Sequence, residues 1–541
     1  MNEILKIADI LDGADTIPEL LSNAVGRFQQ QTAVKFKANG AIIEKTYVQL
    51  KADSDALSAA FEERGLAQIN IGIIGDLSYE WMVTFFGVTG SGNTVVPIDK
   101  DLSLLNIERL ILQADVVVLF VDGNRLYIAE ELRQRCESLK VIVCFDNTER
   151  FQSLDEFSWE RASKQPMAIR VHADHTAMIV FTSSAAGDHK GAMLSHRNLC
   201  HDVLCSVYLV GRGAFTPGEC TVPVLPPHHM FAITPGILAP MLFYGITVCI
   251  GGGLNNYLKS VKQFSPAMLI MVPMIVEGIY KRILREAKKN GKENREVLNM
   301  LGGELRTIIC GGAYMDAELV DKFQALGITL LNGYGITECS PVVSCNRPGS
   351  IRKNSVGLVA PEPYCQVKIN NGEIMVRGSI VMQGYYKDQR GTQEAFEEGW
   401  FKTGDLGYTD KDNYLYITGR KKDLIILKDG NNISPVEIEQ AIEEHPLIDR
   451  SLVYAADKNG TEMLMAVIYP DYKYADNNGI DDVEAALNEV IHTINKSSPA
   501  FKRIRRVEVH EKAFDKQDMK KERRVFTTIS KELATYEQGT E

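Results

Sequence analysis

Cysteine is scarce: ten in 541 residues, none spaced as Cys-x-x-Cys, which excludes a disulfide scaffold. The nearest pairs, Cys200/Cys205 and Cys339/Cys345, lack histidines at zinc-ligand spacing, so reduced thiols in a cytoplasmic setting are expected. Basic charge is also short. Fifty-nine Lys+Arg against 70 Asp+Glu leave a net charge of −11, the wrong sign for a nucleic-acid binder. The first twenty residues, MNEILKIADILDGADTIPEL, have neither a basic n-region nor a small-residue cleavage site, and no secretory signal is expected. Internal repeats and low-complexity tracts are absent. One uncharged run, Met230 to Ile250, is long enough to cross a bilayer. Pro235, Gly236, Pro240 and Gly245 interrupt it, so it predicts a buried helix followed by a strand.

What is present is ordinary globular material, 45% hydrophobic and 24% charged, long enough for roughly three or four compact units at about 150 residues each. Apolar runs recur between helical patterns: Asn70–Gly75, Thr94–Ile98, Val116–Val121, Val141–Phe145, Ala177–Thr182, Met268–Val272 and Thr307–Cys310. Runs this apolar suit strands covered on both faces, hence mostly parallel sheets with crossover helices. Thr46-Tyr-Val-Gln49 is a capping-box start to a helix presenting Leu50, Leu57 and Phe61 and closed by Gly65. After about residue 351 the text turns to Gly, Tyr and alternating residues, with an Asn370-Asn-Gly372 turn, and predicts a small β subdomain. Gly419-Arg-Lys-Lys-Asp423 marks a boundary near residue 420. Ser434-Pro-Val-Glu437 then opens a new helix with Ser as N-cap, Pro first and Glu three residues on, and Pro446 ends it.

Three motifs bear on chemistry. The strand ending at Thr182 runs into small residues, two glycines and Lys190, after which Ser195 caps a helix. Backbone N–H groups and an ammonium there can surround anionic oxygens, although the same text also describes a plain strand–turn–helix link. The spacing is not that of a Walker loop. Asn332-Gly-Tyr-Gly-Ile-Thr-Glu338 sets a ring, a hydroxyl and a carboxylate within a few residues after an apolar strand, suited to stacking a base, binding a phosphate and holding Mg²⁺, or simply a glycine turn with a solvated Glu. Trp400-Phe-Lys-Thr-Gly-Asp405 puts a carboxylate after glycine, where it can grip a diol or merely turn the chain.

In this order the motifs resemble the acyl-adenylate-forming superfamily over nearly the whole chain. Within it, Leu225-Pro-Pro-His-His-Met-Phe231 and Gly419-Arg-Lys-Lys-Asp-Leu-Ile425 followed by Asn432-Ile-Ser-Pro435 are most similar to long- or medium-chain fatty-acid CoA ligases. The resemblance implies an α/β fold: a large N-terminal domain, 1–418, of two packed, mostly parallel sheets (about 1–350) plus a small β-barrel-like subdomain (about 351–418), and a mobile α+β C-terminal domain, 419–541. It implies ATP, Mg²⁺ and coenzyme A as ligands, with a carboxylic acid, most naturally a fatty acid, as substrate. Thr182, Ser183 and Lys190 would meet the ATP phosphates. Gly311, Gly312, Ala313, Asn332, Gly333, Tyr334 and Gly335 would form the adenine slot and part of the acyl pocket. Thr337 would touch the α-phosphate, Glu338 would ligate Mg²⁺, and Asp405 and Arg420 would hold the ribose. His229 would sit at the acyl pocket, Lys422 at the hinge, and Lys520 would be the catalytic lysine.

The phosphate loop departs from the family's Thr-Ser-Gly-Thr-Thr-Gly-x-Pro-Lys-Gly: Ser184, Ala185, Ala186 and His189 replace Gly, Thr, Thr and Pro. Two hydroxyl donors are missing, each worth about 1.5–3 kcal/mol against a charged oxygen. Three readings follow: slowed catalysis, a purposely altered loop, or an acyl- and nucleotide-binding protein without turnover. Since Glu338, Asp405, Arg420 and Lys520 all match, an ATP-dependent ligase forming acyl-AMP and then a CoA thioester is favoured. Transfer to a carrier protein's phosphopantetheine is the alternative. No spanning segment is expected, while peripheral membrane contact stays open.

Overall fold

The computed structural model describes residues 13–159, 171–183, 189–290, 299–426, 432–458, 461–499 and 502–510. The chain divides into two compact units: Met1–Lys368 with Met375–Thr403 and Thr409–Tyr416, and Ile369–Ile374 with Gly404–Tyr408 and Ile417–Glu541.

The first unit begins with α1 (Ile17–Phe28), whose N-cap Thr16 exchanges hydrogen bonds with Glu19 in a full capping box. A hairpin of β1 (Thr32–Ala38) and β2 (Ala41–Thr46) follows. Thr46 then caps α2 (Tyr47–Glu63) with the reciprocal Gln49 bond that the sequence predicts. Next come β3 (Asn70–Ile74), β4 (Thr94–Ile98), α3 (Leu104–Gln113), β5 (Val116–Val121), β6 (Val141–Cys144) and β7 (Gln152–Ser153). These strands are parallel, in the order β4-β3-β5-β6-β7. Ile74, Val96, Leu119 and Val121 pack under Ile107, Leu110 and Ile111 of α3, so the helix buries the apolar stripe that the strands alone would leave wet.

β8 (Thr176–Ser183) adds to β4, and β9 (His189–Ser195) returns antiparallel beside it before α4 (His196–Val210). Here the sequence expectation is corrected: a strand separates the small-residue loop from the helix. The stretch Gly191–Leu194 pairs residue by residue with β8, and this ladder outweighs the loop signal of its glycines and small side chains.

The second sheet of this unit is built from β10 (Cys220–Thr221), β11 (Thr247–Ile250), β12 (Met268–Met271), β13 (Thr307–Cys310), β14 (Thr329–Gly335), β15 (Val342–Cys345) and β16 (Gly357–Val359), in the order β16-β15-β14-β13-β12-β10-β11-β1-β2. From β14 through β12 and β10 to β1 its strands are parallel. The uncharged run folds as α5 (Met230–Ile233), a π-helix (Thr234–Tyr244) and then β11, and every π-helix residue is buried. Among the described residues no helix is long and apolar enough to cross a membrane. Tyr47 at the start of α2 donates its hydroxyl to the Met241 carbonyl at 2.9 Å, satisfying one carbonyl of the wide helix.

Beyond β16 the sheet continues with β17 (Gln366–Asn370), β18 (Glu373–Arg377), β20 (Trp400–Thr409) and β21 (Tyr414–Arg420), in the order β16-β21-β20-β18-β17, while β19 (Gly384–Tyr385) pairs with β9. The path is open, so among the described residues the β-rich stretch closes no barrel. The Asn370–Gly372 turn forms as read, with positive φ at Asn371 and Gly372.

In the second unit, α6 (Pro435–Glu443) and α7 (Val483–Ser497) accompany a sheet of β22 (Ile448–Lys458), β23 (Thr461–Pro470) and β24 (Ile504–Val509). Its core joins Ile438 and Ile442 to Val453, Ala466, Ile468, Leu487 and Ile491. Ser434 is the N-cap residue of α6 but makes no side-chain cap. Its hydroxyl donates instead to the Thr418 carbonyl at 2.6 Å, which ties the helix start to the end of β21.

Candidate active site

The carboxyl ends of β13 and β14 carry most of the glycine-rich motif. Their register sets Cys310 opposite Asn332, so Gly311 and Gly333 emerge side by side. A Cβ on Gly311 would stand 3.1 Å from the Gly333 carbonyl oxygen and 3.3 Å from the Phe231 ring, and one on Gly335 would stand 2.3 Å from the Pro341 carbonyl. At Gly335 only glycine permits the approach, while at Gly311 a Cβ would have to push its neighbours slightly aside. After β14 the chain turns tightly: Ile336 N–H donates to the Pro341 carbonyl at 3.0 Å, and Thr337–Cys339 form a 3₁₀ turn. Three elements clamp this turn. The Asp202 carboxyl of α4 accepts from Val342 N–H at 2.8 Å, Thr234 of the π-helix donates to the Ser340 carbonyl at 2.9 Å, and Met382 N–H donates to the Glu338 carbonyl at 2.8 Å. Burial raises the Asp202 carboxyl well above the usual carboxylate range.

Glu338 is 6% exposed, and its carboxylate accepts the Tyr385 hydroxyl at 2.9 Å. Burial first, then the Glu338 charge, raises the phenol's pKa, so it stays a donor. Lys190 on β9 sets its ammonium 4.8 Å from the centre of the same ring and 3.8 Å from the Asp388 carboxylate. Tyr385 therefore touches a cation with its ring and a buried carboxylate with its hydroxyl, held by pairing of Tyr385 with Ala192. Thr182, at the end of β8, donates to the Lys190 carbonyl at 3.4 Å. Ser183 ends the same strand.

The glycine-rich turn borders a cavity of about 690 Å³ of empty space, its mouth included. Gly311, Gly312, Gly333, Tyr334 and Gly335 frame one end, while Phe231, Pro235, Ala239 and Pro240 bring α5 and the π-helix to its wall. The walls are almost wholly apolar. His229 caps α5 without a side-chain bond, and it is Phe231, not His229, that reaches the cavity. His229 and His228 have ring centres 4.1 Å apart, with His228 3.7 Å from Asp99. Burial, then the neighbouring His229, lowers His228 to about 4, and burial lowers His229 against the pull of Asp99. Burial thus favours the neutral form of both rings. Ala313 and Asn332 flank the glycines without lining the cavity.

In the second unit, Asp405 is buried and pairs with Arg420, Nε to Oδ1 at 2.7 Å, the guanidinium being half-exposed. Lys422 belongs to a short 3₁₀ turn, Lys421–Asp423. Lys520 lies outside the described residues, as do Ser184, Ala185 and Ala186.

Residues 21–386 match the model of the AMP-binding enzyme family, and residues 422–537 match the AMP-binding enzyme C-terminal domain. The chain belongs to the AMP-binding enzymes. It is 27% identical over 424 residues to the long-chain-fatty-acid–CoA ligase FadD15 of Mycobacterium bovis, covering 69% of each chain. To the indoleacetate–CoA ligase of Aromatoleum aromaticum it is 25% identical over 473 residues, covering 84% of this chain and 88% of the other. The crystal structure of the anthranilate CoA ligase AuaEII with anthranoyl-AMP superposes with a TM-score of 0.78 at 19% identity, over 95% of this chain and 97% of that one. The α/β architecture, a large sheet-rich part followed by a smaller C-terminal part, is thus that of adenylate-forming enzymes.

Two features of this AMP-binding enzyme escape a reading of motifs. Tyr385 carries no motif text beyond Gly384-Tyr-Tyr, and its role as the link between Lys190 and Glu338 depends on a pairing between strands nearly two hundred residues apart in sequence. The cavity's wall also includes Phe215 and Tyr244, the first from a connection that carries no motif and the second from the end of the uncharged run, whose text predicts burial but no cavity.

Proposed function

We propose that this AMP-binding enzyme activates a fatty acid as its acyl adenylate and transfers the acyl group to the thiol of CoA. Family membership carries the coarser part, an AMP-forming acid–CoA ligase. The observation that carries the finer part is the apolar cavity opening between Gly311–Gly312 and Gly333–Gly335, three residues before the buried Glu338. Such a cavity suits a hydrocarbon tail and leaves its carboxylate at the polar mouth.

A carboxylate repels nucleophiles, so it first attacks the α-phosphorus of ATP. An O–P bond forms, the bond to the β-phosphate bridging oxygen breaks, and pyrophosphate leaves. In this reading Thr182, Ser183 and Lys190 hold the phosphates, Thr337 meets the α-phosphate, and Tyr334 stacks on adenine beside Gly311 to Ala313 and Asn332. Glu338 is the residue that would hold Mg²⁺, since one carboxylate joined by substrate phosphate oxygens is a usual donor set for that ion. Bound there, the ion supplies charge neutralisation at those oxygens. Tyr385, by donating to Glu338, orients that carboxylate. Asp405 and Arg420, already a charge pair, would share their hydrogen bonds with the ribose diol, and Lys520 would bridge the carboxylate and the α-phosphate. We assign the domain boundary near residue 418 and the hinge to Lys422, about which the C-terminal domain exchanges Lys520 for a thioester-forming surface. His229 would sit at the acyl pocket, two residues before the cavity-lining Phe231.

Incubating the protein with ATP, Mg²⁺, CoA and a panel of fatty, aryl and amino acids, with a phosphopantetheinylated carrier protein as competing acceptor, tests this reading. Fatty acyl-CoA with stoichiometric AMP and pyrophosphate is expected. Thioester on the carrier alone, or turnover of aryl acids alone, contradicts it.

A further inference from the structure

We infer that the cavity is a molecular ruler for medium-length unbranched acids, closed at its far end by Phe215. This rests on the fatty-acid reading above and deepens it.

The register of the parallel strands gives the cavity a direction and a length. Met271 lies opposite Cys310 and Met268 opposite Thr307, while Thr221 lies opposite Met268. Both Gly311, just past the carboxyl end of β13, and Met268, at the amino end of β12, line the cavity. It therefore runs back along the strands from the level of Gly311 to the level of Thr307. Four residues at about 3.3 Å each make roughly 13 Å.

What stands at the amino ends is a built stop. Phe215 precedes β10, Tyr244 precedes β11, and both line the cavity. Their rings meet edge to face, 5.3 Å apart at 89°. Tyr244 is fixed by donating to the Gly211 carbonyl at 2.8 Å. Phe215 is backed by Arg306, whose guanidinium carbon is 5.3 Å from the ring centre. Arg306, immediately before β13, is itself fastened to the Ala214 carbonyl at 3.2 Å and to Glu219 at 2.6 Å. A hydrocarbon tail pushing past Phe215 would have to displace the ring and break this bracing. Behind the braced ring, Arg306 and Glu219 line a separate polar cavity, a poor environment for methylenes.

An extended chain advances about 1.25 Å per bond, from bonds of about 1.52 Å meeting near 111°. Roughly 13 Å then holds about ten bonds, so an acid of about ten to twelve carbons fills the cavity. A chain longer than that meets a wall, and overpacking of this kind is unfavourable.

The test measures acyl-CoA formation by the full chain with saturated acids from hexanoic to octadecanoic, for wild type, Phe215→Ala and Phe215→Leu, with thermal melts of all three. The ruler predicts a wild-type optimum at decanoic to dodecanoic acid and a drop of about tenfold or more by hexadecanoic acid. Phe215→Ala moves the cut-off outward by about four carbons, and Phe215→Leu moves it less, because the freed ring volume becomes available to the tail. If Phe215→Ala does not fold, the smaller shift in Phe215→Leu decides. Wild type that turns over hexadecanoic acid as well as dodecanoic acid overturns the ruler, as do folded, active variants with an unmoved profile. In either case the ligase reading is left intact. Silence of wild type with every acid overturns the ligase reading and the ruler with it.

Discussion

Tyr385 is the residue on which the polar end of the site turns. Its hydroxyl meets Glu338 at 2.9 Å and its ring faces Lys190, so Tyr385→Phe keeps the ring and removes one hydrogen bond to a charged group. A bond of that kind is worth about 1.5–3 kcal/mol, and acid-dependent pyrophosphate exchange should fall about tenfold or more with an increased Mg²⁺ requirement, while the melting temperature moves little. An unchanged Mg²⁺ titration would remove Tyr385 from the positioning of Glu338. His196 gives a residue-scale prediction about stability. Burial, with His175 a smaller contributor, lowers its pKa from 6.5 to about 3, and its Nδ1 accepts from Ile17 N–H at 3.3 Å. A depressed histidine stabilises the fold while neutral, and the unfolded chain takes up the proton first as pH falls below 6.5. Its contribution is therefore lost between about pH 6.5 and 3, roughly 2 kcal/mol by pH 5. Buried Asp202, raised, changes stability in the opposite direction, so the comparison must be differential. The stability of wild type relative to His196→Gln, from urea unfolding, should fall by about 2 kcal/mol between pH 7 and pH 5. A constant difference would contradict the buried neutral ring. None of this was legible in the sequence. A histidine or tyrosine acquires such properties only from burial and from neighbours brought by distant strands.

At the scale of elements, the apolar runs translated almost directly into strands. Thr94–Ile98, Val116–Val121 and Thr307–Cys310 have the bounds that composition alone suggests, because strands buried on both faces need continuous apolar text. Local capping was equally readable at Thr46 and at Ser195. It failed at Ser434, whose hydroxyl found a nearer acceptor in the Thr418 carbonyl. β9 was missed for a related reason: a strand of Gly, Ala and Met is specified by its partner rather than by its own propensity. The β14–β15 turn is where the elements leave least room. Gly335→Ala would push a methyl group to 2.3 Å from the Pro341 carbonyl, so the turn must open and carry Thr337 and Glu338 with it. Adenylation should be lost, by about a hundredfold or more for a displacement on the order of 1 Å, with the circular dichroism spectrum retained. Near-normal activity in Gly335→Ala would mean that the turn does not set the catalytic geometry.

For the molecule as a whole, a net charge of −11 sits uneasily with ligands that are all anions. Attraction has to come from local cations such as Lys190 and Arg420, whose partners Asp388 and Asp405 would be shared with the ligands. The proposed rotation about Lys422 separates two half-reactions, so Lys520→Ala should abolish acyl-adenylate formation by about a thousandfold while still converting supplied acyl adenylate and CoA to thioester. Equal loss of both steps would contradict a lysine used in only one of them. The altered loop at Ser184, Ala185 and Ala186 bears on the central claim most heavily, since in the proposed mechanism the two absent hydroxyls would weaken phosphate binding while Lys190 is retained. Acid-dependent exchange of pyrophosphate into ATP, measured on wild type beside the Ser184→Gly, Ala185→Thr, Ala186→Thr protein, tests that claim most directly. The account predicts measurable fatty-acid-dependent exchange in wild type and a rise of about tenfold or more in the restored loop. No exchange with any acid in either protein would contradict it.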